Sequence, residues 1–172
     1  TAFVYRDVEI SYNELLEKIG LYKKLYNINR GSKIAIFSEN RPEWIYAFFA
    51  NWENGMGNVL IDYLATYEEA AYILEDAQPS IIFTSANNKE VLEKAVEKAG
   101  LSGYKIIVFE EIENEDFRFK LNYDELGDEE TAVYIYTSGT TGKPKGVMLT
   151  IANFKHQVES IDKLNIVRRG ES

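Results

Sequence analysis

Within nine residues, Thr137 to Lys145, the chain gathers four hydroxyls (Thr137, Ser138, Thr140, Thr141), two glycines (Gly139, Gly142) and two lysines (Lys143, Lys145). An apolar stretch from Ala132 to Tyr136 leads in, and a shorter one, Val147 to Leu149, leads out. Each ingredient suits the binding of a polyphosphate. Glycines reach positive φ and let backbone N–H groups close on an anion. Hydroxyls donate to phosphate oxygens, and an ammonium supplies a compact positive charge. A strand on either side would hold such a cradle on a rigid edge.

The run departs from the Walker A loop, Gly-x4-Gly-Lys-Ser/Thr, in two respects. Only Thr140 and Thr141 separate Gly139 from Gly142, and Pro144 stands where a magnesium-binding hydroxyl would follow the lysine. Beyond the loop the pattern is that of a strand, where a P-loop protein opens a helix. The alternative of a hairpin turn that binds nothing is opposed by charge. From Thr131 to Val158 there is no Asp or Glu, while Lys143, Lys145 and Lys155 fall inside. The chain carries 28 acids in 172 residues, so about five would be expected in that window, and their exclusion protects an anion site. Part of the deficit follows from buried strand, where acids are rare in any case.

The elements expected to position this loop alternate strand and helix. Phe3 to Tyr5 and Val8 to Ile10 read as a hairpin turned at Arg6-Asp7. Ser11 with Glu14, and Thr66 with Glu69, are capping-box pairs that open helices. The first of these helices has Tyr12, Leu15, Leu16, Ile19, Tyr22 and Tyr26 at helical spacing. Asn40 and Pro42 start another, whose run Trp44 to Ala50 is apolar all round and so expected between layers, with Trp44, Phe48, Phe49 and Trp52 in the core. A further amphipathic helix turns Val91, Leu92, Ala95, Val96 and Ala99 inward. The strands Ile34 to Phe37, Val59 to Ile61, Ile81 to Phe83 and Ile106 to Phe109 are continuous apolar runs, the pattern of a parallel sheet covered on both faces.

The fold class expected is therefore α/β, a doubly wound, mostly parallel sheet flanked by helices. Three parts are read along it. Residues 1–109 form the βα-alternating sheet and residues 110–130 a solvated acidic linker. Residues 131–172 hold the loop, its two strands and a final helix from Ile151 to Val167.

Composition narrows the class. Hydrophobic content of 45% and charged content of 27% are ordinary for a globular protein, and the net charge of −9 disfavours nucleic acid and anionic membranes as partners. The absence of cysteine excludes disulfides and thiolate metal sites and fits a cytoplasmic setting. No apolar run approaches the ~18 residues of a membrane span. His156, the single histidine, is read as a surface or packing residue. The chain opens without Met and runs out shortly after its last helix, so it is expected to be part of a longer polypeptide.

The run Thr137-Ser138-Gly139-Thr140-Thr141-Gly142-Lys143-Pro144-Lys145-Gly146 resembles the signature of the adenylate-forming enzymes, which include acyl-CoA synthetases, peptide-synthetase adenylation domains and luciferases. Ser38 to Trp44, Ile61 to Thr66 and Glu69 to Leu74 fall in that family's order and spacing, so the resemblance spans about Val8 to Phe154. The long-chain fatty-acyl-CoA ligases are the most similar branch. The resemblance implies the N-terminal part of an acyl-CoA-synthetase-like fold and a two-step reaction. A carboxylate attacks ATP to give an acyl-adenylate and pyrophosphate, and coenzyme A then takes the acyl group, with Mg²⁺ accompanying ATP.

Carried onto this chain, the resemblance implies that Thr137, Ser138, Gly139, Thr140, Thr141, Gly142, Lys143 and Lys145 bind the ATP phosphates. The lysine after the proline is fixed in the family pattern, so Lys145 is expected to make the closer contact. The family's adenine, acyl and coenzyme A sites and its C-terminal lysine have no counterpart within the 172 residues. The partners expected are thus small molecules and the remainder of the same polypeptide, and the isolated piece is expected to be inactive. Ile151 stands where many relatives carry histidine. Two other readings remain: a stand-alone module that binds nucleotide or acyl-adenylate without turnover, and a structural domain in which the loop is decoration.

Overall fold

The computed structural model describes residues 1–113, 127–137 and 144–164. A small antiparallel pair, β1 (Phe3–Tyr5) and β2 (Val8–Ile10), is followed by α1 (Tyr12–Lys23). Then come β3 (Lys33–Phe37), α2 (Pro42–Glu53), β4 (Gly57–Ile61), α3 (Tyr67–Ala77), β5 (Ile81–Thr84), α4 (Lys89–Ala99) and β6 (Lys105–Val108). After a 3-10 turn at Phe109–Glu111 the described chain resumes with β7 (Thr131–Thr137), β8 (Lys145–Thr150) and α5 (Ile151–Lys163).

Six strands form one sheet in the order β6-β5-β3-β4-β7-β8, parallel throughout except that β8 runs antiparallel to β7. Two apolar layers cover it. Ile34, Ile36 and Phe83 face α1 and α2, whereas Ala35, Phe37, Val59 and Ile82 face α3 and α4. The strict alternation along β3 is what burial on both faces requires of a strand. Because α2 and α3 lie on opposite faces, the chain segments leaving β3 and β4 diverge. Ligands of open α/β sheets bind beyond the carboxyl ends of the strands at such a divergence.

Local signals account for most element ends. Ser11–Glu14 and Thr66–Glu69 form complete capping boxes, and Arg6 and Asp7, at φ 47° and 66°, make the tight turn between β1 and β2. Pro42 is the first residue of α2, with Arg41 as its cap and no side-chain cap bond. A third box, Thr150 with Asn153, opens α5 and was not anticipated because asparagine replaces the usual Glu or Gln.

Two expectations change. α1 ends at Lys23, so Tyr26 is buried beyond the helix while Tyr12 is exposed. α2 is not enclosed on all sides: Phe49 is 38% exposed, and Phe48 and Trp52 are only half-buried. They pack instead into a lateral cluster in which Phe154 of α5 meets Trp52 edge-on at 4.9 Å. The acidic stretch is ion-paired at its ends, Glu110 with Arg41, Asp128 with Lys155 and Glu130 with Arg30. The last helix is described to Lys163, and the remainder expected of it, from residue 165, lies outside the described residues.

A buried polar chain fixes α2 against β4. Tyr26 donates through its hydroxyl to Asn51 Oδ1, Asn51 Nδ2 donates to Asn58 Oδ1 at 2.7 Å, and Asn58 Nδ2 donates to the carbonyl of Phe48. Both asparagines are fully buried with their polar atoms paired, which avoids the cost of an unsatisfied amide in the core.

Candidate functional site

The candidate loop is rooted on β7 and β8. Its first and last residues, Thr137 and Lys145, are cross-strand partners in the antiparallel register. Of the other residues expected in the site, Ser138, Gly139, Thr140, Thr141, Gly142 and Lys143 lie outside the described residues. The pleat places Thr137, Ile135 and Val133 on one face of β7, with Lys145, Val147 and Leu149 opposite them on β8. Val133 and Leu149 pack with Phe48 and Trp52, so this is the face of α2 and α5. Thr137 and Lys145 are both exposed there. A hydroxyl and an ammonium thus stand side by side at the carboxyl end of β7, where a phosphate could take both.

The other face of the hairpin is tied to α3. The Tyr136 hydroxyl donates to Asp76 Oδ2 at 2.6 Å. Burial pushes the Tyr136 phenol pKa up, and the hydrogen bond to Asp76 and its charge push it further. Tyr134, on the same face, has the Lys33 ammonium 5.4 Å from its ring centre.

A second polar centre sits at the same edge of the sheet, beyond β3, β5 and β6. Arg41 donates to Glu43 Oε2 at 2.8 Å, pairs with Glu110, lies 3.6 Å from Glu39, and stacks over the Phe109 ring at 5.4 Å. Ser85 donates to Glu39 at 2.7 Å, and the backbone N–H of Ala86 to Glu110 at 2.9 Å. Burial pushes both carboxyls up. For Glu39 the hydrogen bonds from Ser85 and its own backbone, with the Arg41 charge, outweigh burial. For Glu110 the bonds from Arg41 and Ala86 do so, and both end below the usual carboxylate range. The sequence reading missed this centre. The signal available was an arginine capping a helix whose first turn is acidic.

Among the described residues no group of three or more His, Cys, Asp or Glu could hold a metal ion. His156 is exposed on α5 beside Glu159, and Ile151 is buried with Ala132 and Val133 under the first turn of that helix. No described helix is long and apolar enough to cross a membrane.

The described strands β7 and β8 root this segment at the carboxyl edge of a doubly wound α/β sheet. The chain belongs to the AMP-binding enzyme family, whose model matches residues 1–171. It is 30% identical over 174 residues to the 2-succinylbenzoate–CoA ligase of Bacillus velezensis, covering 98% of this chain and 34% of that protein. A component of the linear gramicidin synthase of Brevibacillus parabrevis is 32% identical over 151 residues, which are 86% of this chain and 2% of that protein. Among solved structures, O-succinylbenzoate coenzyme A synthetase from Bacillus subtilis, in complex with AMP, matches with a TM-score of 0.74 at 27% identity. That match covers 95% of this chain and 42% of the other. The chain spans roughly a third or less of the curated relatives named here.

Proposed function

We propose that the chain is the phosphate-gripping portion of an ATP-dependent acid–thiol ligase. The enzyme adenylates a carboxylic acid, with fatty acids as the expected class, and passes the acyl group to coenzyme A in the cytoplasm. The observation that carries this reading is the pairing of exposed Thr137 and Lys145 on one face, at the root of the Ser/Thr/Gly loop. Membership of the family supports the chemistry. A named relative acting on succinylbenzoate leaves the acid to be decided by experiment.

In the first step a carboxylate oxygen bonds to the α-phosphorus of ATP while the bond to the bridging oxygen breaks, and that electron pair leaves with pyrophosphate. In the second, a thiol displaces AMP from the acyl carbon. The obstacle in the first step is charge, since an anion approaches a polyanion and the leaving group departs with several negative charges. Preorganised donors and a cation are the remedy available to a protein. Lys145 would hold the terminal phosphates by a charge-assisted contact and Thr137 would donate its hydroxyl, with Ser138, Thr140, Thr141, Lys143 and the amides at Gly139 and Gly142 completing the cradle. Magnesium would come bound to the triphosphate, and no step here depends on it.

The test is ATP–pyrophosphate exchange in the complete polypeptide that carries this chain, across a panel of carboxylic acids. Lys145→Ala should slow exchange by about tenfold or more, in keeping with the loss of a charge-assisted hydrogen bond, and Lys143→Ala should slow it much less. Equal effects would refute the assignment of Lys145.

A further inference from the structure

The residue just before the loop and the residue just after its last lysine face away from the phosphate side and meet each other. Tyr136 and Gly146 are cross-strand partners. A Cβ on Gly146 would lie 3.1 Å from Tyr136 Cζ, 3.3 Å from Cε1 and 3.4 Å from the hydroxyl oxygen. The ring therefore lies flat across β8 at the one position that has no side chain. Beyond it the hydroxyl reaches Asp76 in the last turn of α3. Two strands and a helix are joined by one side chain, directly beneath the Thr137–Lys145 pair.

A related contact lies two residues earlier, on the diagonal rather than between register partners. A Cβ on Gly57 of β4 would come within 2.6 Å of the Tyr134 ring, so Tyr134 lies over a glycine of its other neighbour. An aromatic ring laid across a cross-strand glycine restores packing that the glycine lacks and pins the register. β7 thus sets Tyr136 over its register partner Gly146 in β8, and Tyr134 diagonally over Gly57 of β4, two residues before its own partner Val59.

We propose that Tyr136 is a positioning residue: bonded to Asp76 and seated on Gly146, it sets the placement of Thr137 and Lys145 and so the geometry with which they meet phosphate. The ligand half of this statement rests on the function proposed above, whereas the strut itself does not. Tyr136 and Asp76 touch no ligand in this scheme. They act through the hairpin, and removing either frees the root of the loop while leaving β3 to β6 in place.

Two readouts on the complete polypeptide that carries this chain separate the parts. The first is amide hydrogen exchange, without nucleotide, at residues 135–137 and 145–147 compared with Ile36 and Phe83. Tyr136→Phe and Asp76→Ala should each speed exchange at the hairpin root by about tenfold, the scale of one hydrogen bond to a charged acceptor, with the core amides unchanged. Asp76→Asn, whose amide oxygen still accepts from the phenol, should restore most of the protection. Asp76 is exposed on α3, so its variants test the bond even where Tyr136→Phe fails to fold.

The second readout is titration with Mg-ATP. Affinity should fall in Tyr136→Phe and Asp76→Ala and recover in Asp76→Asn. Lys145→Ala should lose affinity with exchange at the root unaltered, which distinguishes failure of the phosphate reading from failure of the strut. Unchanged root exchange in Tyr136→Phe and Asp76→Ala overturns the proposal. So does loss spread equally to Ile36 and Phe83, or faster root exchange with Mg-ATP affinity intact.

Discussion

The two sides of the sheet are built to different specifications. At β3 and β5, Ile34, Ala35, Ile36, Phe37, Ile82 and Phe83 have no exposed surface at all, and helices lie over both faces. At β7 and β8, Ile135, Val147 and Met148 are 37%, 44% and 63% exposed; beyond the ladder to β4 and the buried foot at Ala132 and Val133, the hairpin is tied to the helices by a few directed contacts, such as Trp52 to the Ala132 carbonyl and Tyr136 to Asp76. The first region derives its order from close packing, which fixes many side chains together. The second derives it from a few directed contacts, so its roots can be placed by individual residues. Chemistry needs the second kind of region and stability the first, and here they share strand β4.

The strongest test of that contrast is paired truncation. Phe83, fully buried and 5.7 Å from the Phe109 ring centre, should cost about 3–5 kcal/mol on substitution by alanine, measured by urea denaturation. Val147→Ala should cost less than about 1 kcal/mol, as surface substitutions do. Comparable losses would erase the distinction.

Asn51→Ala falls between them. It strands the Tyr26 hydroxyl and the Asn58 amide in the core, for about 2–3 kcal/mol. Asn51→Ala lowering stability no more than Val147→Ala would show that water replaces the lost partner.

A smaller effect is expected at Arg41. Its side chain is 16% exposed among three half-exposed carboxylates, so Arg41→Gln should cost about 1–2 kcal/mol at neutral pH, below the value for a fully buried pair. The sign with pH follows from Glu39 and Glu110, whose carboxyls are lowered from 4.5 in the fold. The stability they contribute is present above that unfolded value and is lost as pH falls through their lower folded values. The difference between parent and variant should therefore shrink on acidification, and a gap that widens in acid would contradict the pairing.

Much of this was legible in the sequence. Ser11–Glu14, Thr66–Glu69 and the Arg6-Asp7 turn are short-range signals whose partners lie within three residues, and each formed as read. Continuous apolar strands identified a sheet covered on both faces. The sequence was silent where partners are distant. Nothing local joins Tyr26 to Asn51, Arg41 to Glu110 or Tyr136 to Asp76, since each pair meets only through the topology. The open side of α2 was misjudged for a related reason: an apolar run specifies that a helix packs, not how far its neighbours reach. At the candidate site, composition pointed to Thr137 and Lys145, while the pleat that sets them on one face appeared only with the register.

The pairing of Asn58 with Val133 joins segments separated by nearly half the chain, whereas β7 and β8 are close neighbours in sequence. Loop-closure entropy makes the first contact slow and the second fast. The β7–β8 hairpin can zip early, but it gains its seat only when β4 is already in the sheet. Refolding followed by Trp52 fluorescence in a Trp44→Phe background would time that docking, because the Trp52 indole donates to the Ala132 carbonyl at the foot of β7. Within this chain the β7–β8 hairpin would therefore take its seat late in assembly, after β4 has joined the sheet.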